Sequence, residues 1–398
     1  MGINDIILYI MLGLMAIAGV DRFTGNRLGL GEKFEEGFNS LGALALSMVG
    51  AYCIAPVLGR VLEPLVGPVY QALGASPAMF ATTLLANDMG GYPLAMALSG
   101  AWADGVANPA ATAEMVNVGN FAGLILGAMM GPTIVFSIPV ALGIIRVEDR
   151  PFLAKGILIG MITIPLGCLA GGAVAGYPFI WMVMNLIPVL IVAIAIAIGL
   201  SLAQNFMITL FLWFGKFVIA FLTIALILAG IVGALGITPE TESTNAFVTW
   251  LRDLRMAPIS EGFAVIGGIA VVLAGAFTLV HLMTKYLGEP LSKIGGLLGM
   301  NKEAAAGMVA TMANNIAMFS IMKDMDDRGK VINVAFAVSA AFVFGDHLGF
   351  TAGANKDMIF AVVIGKLVGG VTAVVLAYFM APKADPAQLG EREAKAEA

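Results

Sequence analysis

Apolar residues run in long blocks along the 398-residue chain, with short polar stretches between them. Eleven blocks stand out, at 3–20, 38–62, 78–100, 115–145, 153–177, 179–203, 217–237, 263–284, 304–322, 332–352 and 359–380. Blocks of about 20 residues are long enough for a helix to cross a bilayer. The pattern predicts an all-α polytopic membrane protein. Two of the blocks carry polar interruptions. LLANDMGGYPLAM (84–96) sets an amide, a carboxylate, two glycines and a proline inside 78–100, and ATMANNIAM (310–318) sets two amides inside 304–322. In hydrocarbon every backbone N–H and C=O needs a partner, so a helix breaks there only where protein or a watery cavity surrounds it.

The chain matches itself. EEGFNSLGALALSMVGAYCIAPVLGRVLEPL (35–65) aligns with SEGFAVIGGIAVVLAGAFTLVHLMTKYLGEPL (260–291), and LLAND (84–88) with TMANN (311–315). GPTIVFSIP (131–139) then meets GDHLGFTAG (345–353), and KGILIG (155–160) meets FAVVIG (360–365). Four matches in one order indicate an internal duplication. The expected organisation is a first repeat over 1–178, a linking helix at 179–204, a second repeat over 205–380 and a polar cytoplasmic tail at 381–398.

Positive charge chooses the topology. If all eleven blocks crossed, Lys and Arg would divide 11 against 9 between the two faces. With 78–100 and 304–322 as re-entrant hairpins, which enter and leave on one face, they divide 16 against 4, with Lys366 inside a block. The reading is therefore two inverted repeats, nine transmembrane helices and two re-entrant hairpins. The N-terminus is expected outside and the tail in the cytoplasm. Residues 3–20 lack a basic leader and a cleavage site and are expected to be a retained span.

Composition agrees: 60% of residues are hydrophobic and 12% charged, against about 25% charged in a soluble domain. A net charge of −5 offers no basic surface, so no nucleic-acid partner is expected. No phosphate-binding loop, catalytic triad or metal-ligand spacing is present, so neither enzymatic activity nor a cofactor or metal is expected. Cys53 and Cys168 read as packing residues.

Asp88 is the sharpest candidate. A carboxylate at mid-membrane costs about 2.5–3.5 kcal/mol on insertion scales, which a transported cation would offset. The alternative is a cap on the second half-helix. Asn87 stands beside it, and Asn314 and Asn315 hold the matching places, suited either to a small polar solute or to helix packing. Asp346 and His347 interrupt 332–352 and would bind an amine, relay a proton, or satisfy each other at a helix end. Tyr92, Phe344 and Phe350 offer π faces to a cation or simply pack.

LYIMLGLMAIAGVDRFTGNRLGLGEKFEEGF (8–38) and LLANDMGGYPLAMAL (84–98) resemble the EutH family, the ethanolamine permeases of bacterial ethanolamine-utilisation operons, and the likeness spans essentially the whole chain. The resemblance implies a multi-pass protein of the bacterial cytoplasmic membrane that imports ethanolamine. The residues suggest binding near the midplane between the two hairpins, with Asn87, Asp88, Tyr92, Asn314, Asn315, Asp346 and His347 as the substrate set. A passive facilitator of the uncharged amine and a non-transporting scaffold or sensor remain as alternatives. Partners expected are ethanolamine, the lipid bilayer and a second copy in a homodimer.

Overall fold

The computed structural model describes residues 2–383, apart from the side chains of 287–294 and 296. The tail from 384 to 398 and the side chains of Glu289 and Lys293, on which the sequence reading also drew, lie outside the described residues. The chain runs through α1 (Ile3–Phe23), α2 (Gly31–Ala72), α3 (Ala78–Leu84) and α4 (Gly91–Leu98) to an antiparallel pair of two-residue strands, β1 (Trp102–Ala103) and β2 (Val106–Ala107). It continues through α5 (Ala113–Ile144), α6 (Arg150–Val174), α7 (Phe179–Leu202), α8 (Gln204–Ala234), α9 (Ala246–Asp253) and α10 (Ile259–Leu297). The last elements are α11 (Lys302–Ala313), α12 (Asn315–Ile321), α13 (Asp327–Ala340), α14 (Asp346–Asn355) and α15 (Ile359–Met380).

Among the described residues, eight stretches are long and apolar enough to cross a membrane: α1, α2, α5, Val147–Val174, α7, α8, Ile259–Tyr286 and Asp346–Met380. The protein is a polytopic α-helical membrane protein. Large apolar side chains exposed along α1, α7 and α8, among them Ile10, Ile191, Trp213 and Phe217, suit a lipid-facing surface. One expected span is corrected. The block 332–352 is divided, because α13 ends at Ala340 and a new helix starts at Asp346. Nothing in AFVFG (341–345) signals this. Phe342 takes a left-handed conformation (φ 63°), which the chain holds through long-range bonds: Phe342 N donates to Thr311 O at 3.1 Å and Phe344 N to Met312 O at 2.9 Å.

The same device recurs in the other half. Inside α5 the helix widens over Phe121–Ile125, tightens over Leu126–Ala128 and widens again over Thr133–Ser137, with Met129 off the helical region. Gly131 there lies so close to Leu85 O and Ala86 N that no Cβ would fit, and Gly345 lies as tightly against Ala313 O, one position beyond the counterpart of Leu85. Gly131 and Gly345 are aligned positions, and so are Ala86 and Ala313. Each distorted stretch thus packs on a helix break, Gly131 on the one after α3 and Gly345 on the one after α11.

At the centre α6 crosses α15 without large side chains between them. Gly167 faces Gly365 and Gly369, Gly171 faces Ala361 and Gly365, and Thr163 Oγ1 donates to Gly369 O at 3.2 Å. Residue numbers rising along α6 meet falling numbers along α15, so the two run antiparallel. At one end a buried ion pair, Lys330 to Asp149 at 2.7 Å, ties the start of α13 to the turn before α6. At the other, Arg60 pairs with Asp104 at 2.8 Å and donates to Leu254 O, joining α2 to two loops.

Candidate functional site

The break between α3 and α4 follows from its residues. Leu85 and Ala86 are extended, Asn87–Met89 make one tight turn, and Gly90 takes φ 91°, a conformation that costs glycine nothing and other residues about 1–2 kcal/mol. Gly91 then starts α4, with Pro93 in its first turn, where a missing N–H matters least. The turn projects Asn87 and Asp88 into a cavity of about 80 Å³, room for a solute of a few heavy atoms. Tyr52 from α2, Tyr92 from α4, Trp102 from β1 and Phe350 from α14 line it with them.

The four rings form a connected wall. Trp102 stands 5.5 Å from Tyr52 and 5.6 Å from Tyr92, and Tyr92 meets Phe350 edge-on at 5.9 Å. Tyr52 is steadied by donating to Gly105 O at 3.3 Å in the β1–β2 turn. Asn87 is wholly buried, and neither its amide nitrogen nor its oxygen has a hydrogen-bond partner among the described residues. Leaving such a group unpaired costs about 1–3 kcal/mol, which a polar solute in the cavity would relieve. Aromatic faces around a carboxylate suit a small ammonium ion, which rings attract through their quadrupoles and a carboxylate through charge. The amide suits a neighbouring hydroxyl.

Of the residues singled out from the sequence, Asn87, Asp88, Tyr92 and Phe350 come together at this cavity. Asp346 begins α14, on which the turn bearing Asp88 packs, but it does not line the cavity. His347 is buried with its Nδ1 2.9 Å from Lys366 Nζ, so its ring is held by Lys366 and not by the neighbouring carboxylate. Asn314 and Asn315 form the other break. Asn314 Oδ1 caps α12 by accepting from Ile316 N at 2.8 Å, and Asn315 Nδ2 donates to Ser137 Oγ at 2.7 Å. Neither lines the cavity. Phe344 packs with α1 and α10, away from it.

Two cavity-lining groups escaped the sequence reading, and Lys366, buried against His347, was noted there only for its place inside a block. Tyr52 and Trp102 reach the site by tertiary packing, and nothing local distinguishes them from other aromatics. Lys366 did leave a signal, as a lone cation inside a 22-residue apolar helix.

The architecture is that of a polytopic membrane protein, with an interior cavity lined by a carboxylate, an amide and four aromatic rings. The family model described as "Ethanolamine utilisation protein, EutH" matches residues 3–380, and the chain belongs to that family. It is 54% identical to the probable ethanolamine permease EutH of Listeria monocytogenes over 96% of this chain and 95% of that one. It is 48% identical to the protein of the same name in Salmonella typhimurium over the full length of both. The uncharacterized protein YxeR of Bacillus subtilis is 44% identical over 96% of each chain. No solved structure matches.

Proposed function

We propose that the chain carries ethanolamine, as its ammonium ion, across a bacterial membrane, and that the cavity at the first helix break is where the cation is held. One observation carries this reading: a carboxylate (Asp88) and a buried amide with both polar atoms unpartnered among the described residues (Asn87) share a cavity of about 80 Å³ with four aromatic rings. Asp88 and Asp346 take the ammonium, the rings stabilise it, and Asn87 bonds the hydroxyl. Asn314 and Asn315 receive the hydroxyl on the way to the opposite face, since Asn315 Oδ1 has no partner among the described residues.

The reading treats the two halves as inverted repeats and each broken helix pair as a re-entrant hairpin. The aligned helices α6 and α15 run antiparallel, as inversion requires, and the aligned glycines Gly131 and Gly345 each press on the backbone of a helix break, at Leu85 and at Ala313. The 16-against-4 division of Lys and Arg puts the N-terminus outside and the tail in the cytoplasm. The cavity then faces outward, beside the β1–β2 turn.

The test is uptake of labelled ethanolamine into proteoliposomes holding purified protein. Asp88→Asn should lower uptake by at least about tenfold, the worth of one charge-assisted hydrogen bond of about 1.5–3 kcal/mol, with the folded protein still recovered from the membrane. Undiminished uptake by that variant would move the site elsewhere.

A further inference from the structure

Beside the first helix break lies a second cavity that the proposed transport site does not use. It measures about 240 Å³, is bounded by α2, α8 and the broken pair α3 and α4, and every residue that lines it is apolar. The turn after α3 divides the two cavities. Asn87 and Asp88 line the aromatic one, Leu85 and Met89 line the apolar one, and Gly90 borders both.

The walls follow from one close helix contact. At Gly50 the backbones of α2 and α8 touch, with Leu222 O and Leu226 N where a Cβ would stand. From there α2 runs on through Ala51 and Ile54 to Leu58, and α8 runs back from Leu222 to Phe217, along two sides of the cavity. The mouth is continuous with the lipid-facing surface. Phe217 lines the cavity at 61% exposure, and Trp213 and Leu210, on the same face of α8, are 70% and 47% exposed.

What the bilayer offers at that surface is hydrocarbon. A helix is about 10–12 Å across with its side chains, too wide to enter, whereas an extended acyl chain is one methylene wide. Water finds no polar partner there. A chain entering from the bilayer has no hydrophobic gain, since lipid tails are as apolar as the walls. Its gain is the dispersion contact that an empty cavity forfeits.

We propose that this cavity is a binding site for one acyl chain of a membrane phospholipid, seated against the apolar side of the turn that bears Asp88. The assignment is independent of what the aromatic cavity carries.

The experiment places the full chain in vesicles of phosphatidylethanolamine and phosphatidylglycerol, doped with phosphatidylglycerol bearing a diazirine midway along one acyl chain. Irradiation expels N2, the carbene inserts into a nearby C–H bond, and mass spectrometry of the digested protein locates the adducts. Ala81 and Leu94 line the cavity at 1% and 2% exposure, so lipid outside the cavity does not reach them, and adducts at both are expected. L58W, which fills the cavity from α2, should lose those adducts and keep the ones at Trp213. Ala81 and Leu94 unlabelled in the wild type, as when a side chain of a second copy fills the cavity, would overturn the proposal. So would undiminished adducts there in folded L58W. Where L58W is not monodisperse in detergent, the wild-type pattern decides alone.

Discussion

The two helix breaks occupy aligned places in the two halves, yet they are built from different parts. Between Leu84 and Gly91 the chain uses two extended residues, a tight turn and a left-handed glycine, and the polar atoms of Asn87 are left without partners among the described residues. Between Ala313 and Asn315 a single extended residue suffices, because Asn314 caps the next helix with its own side chain. Asn315, aligned with Asp88, gives its amide nitrogen to Ser137. Continuing the alignment, the positions of Tyr92 and Phe350 are held by Phe319 and Phe136. A broken helix alone does not make a site. What distinguishes the first break is polar capacity left over after the backbone has been satisfied, enclosed by rings.

If the first break binds and the second passes the solute on, variants at the two should differ in kind. Trp102→Ala removes the ring that touches both Tyr52 and Tyr92. It should raise the half-saturating ethanolamine concentration by about 5–30-fold, the worth of a desolvated cation–π contact of about 1–2 kcal/mol, with little change in maximal rate. An unchanged half-saturation would remove the aromatic wall from the account. Asn315→Ala removes a buried hydrogen bond of about 1 kcal/mol and the free Oδ1. Its expected effect is smaller, a roughly three- to fivefold loss in maximal rate at constant half-saturation. Equal effects of both variants on half-saturation would merge the two breaks into one site.

Much of this was legible in the sequence, for physical reasons that also explain what was not. The span positions follow from the length of apolar blocks, since lipid leaves a helix as the sole way to satisfy a single crossing segment. Asn87, Asp88 and Tyr92 stand within six residues of one another, so a local turn suffices to gather them. Of the break at Ala341–Gly345 only a helix end at Asp346 and His347 was legible, because left-handed Phe342 is held by bonds to residues some thirty positions earlier in the chain. A strained backbone of this kind costs about 1–3 kcal/mol and persists only where its surroundings over-determine it. Trp102 and Tyr52 were silent for a related reason, being brought to Asp88 by packing between α2 and the β1–β2 turn. Lys366 stood out by its setting, but its partners His347 and Ala128 lie 19 and 238 residues away.

The most direct test of the central claim, that the cavity carries ethanolamine as a cation, is accumulation of labelled ethanolamine in proteoliposomes under an interior-negative potential. At 100 mV the field contributes about 2.3 kcal/mol per charge, so the account predicts accumulation approaching roughly 50-fold over the outside concentration, collapsing when the potential is dissipated. Uptake that stops at equal concentrations and ignores the potential would contradict it, and would mean that the uncharged amine is what passes.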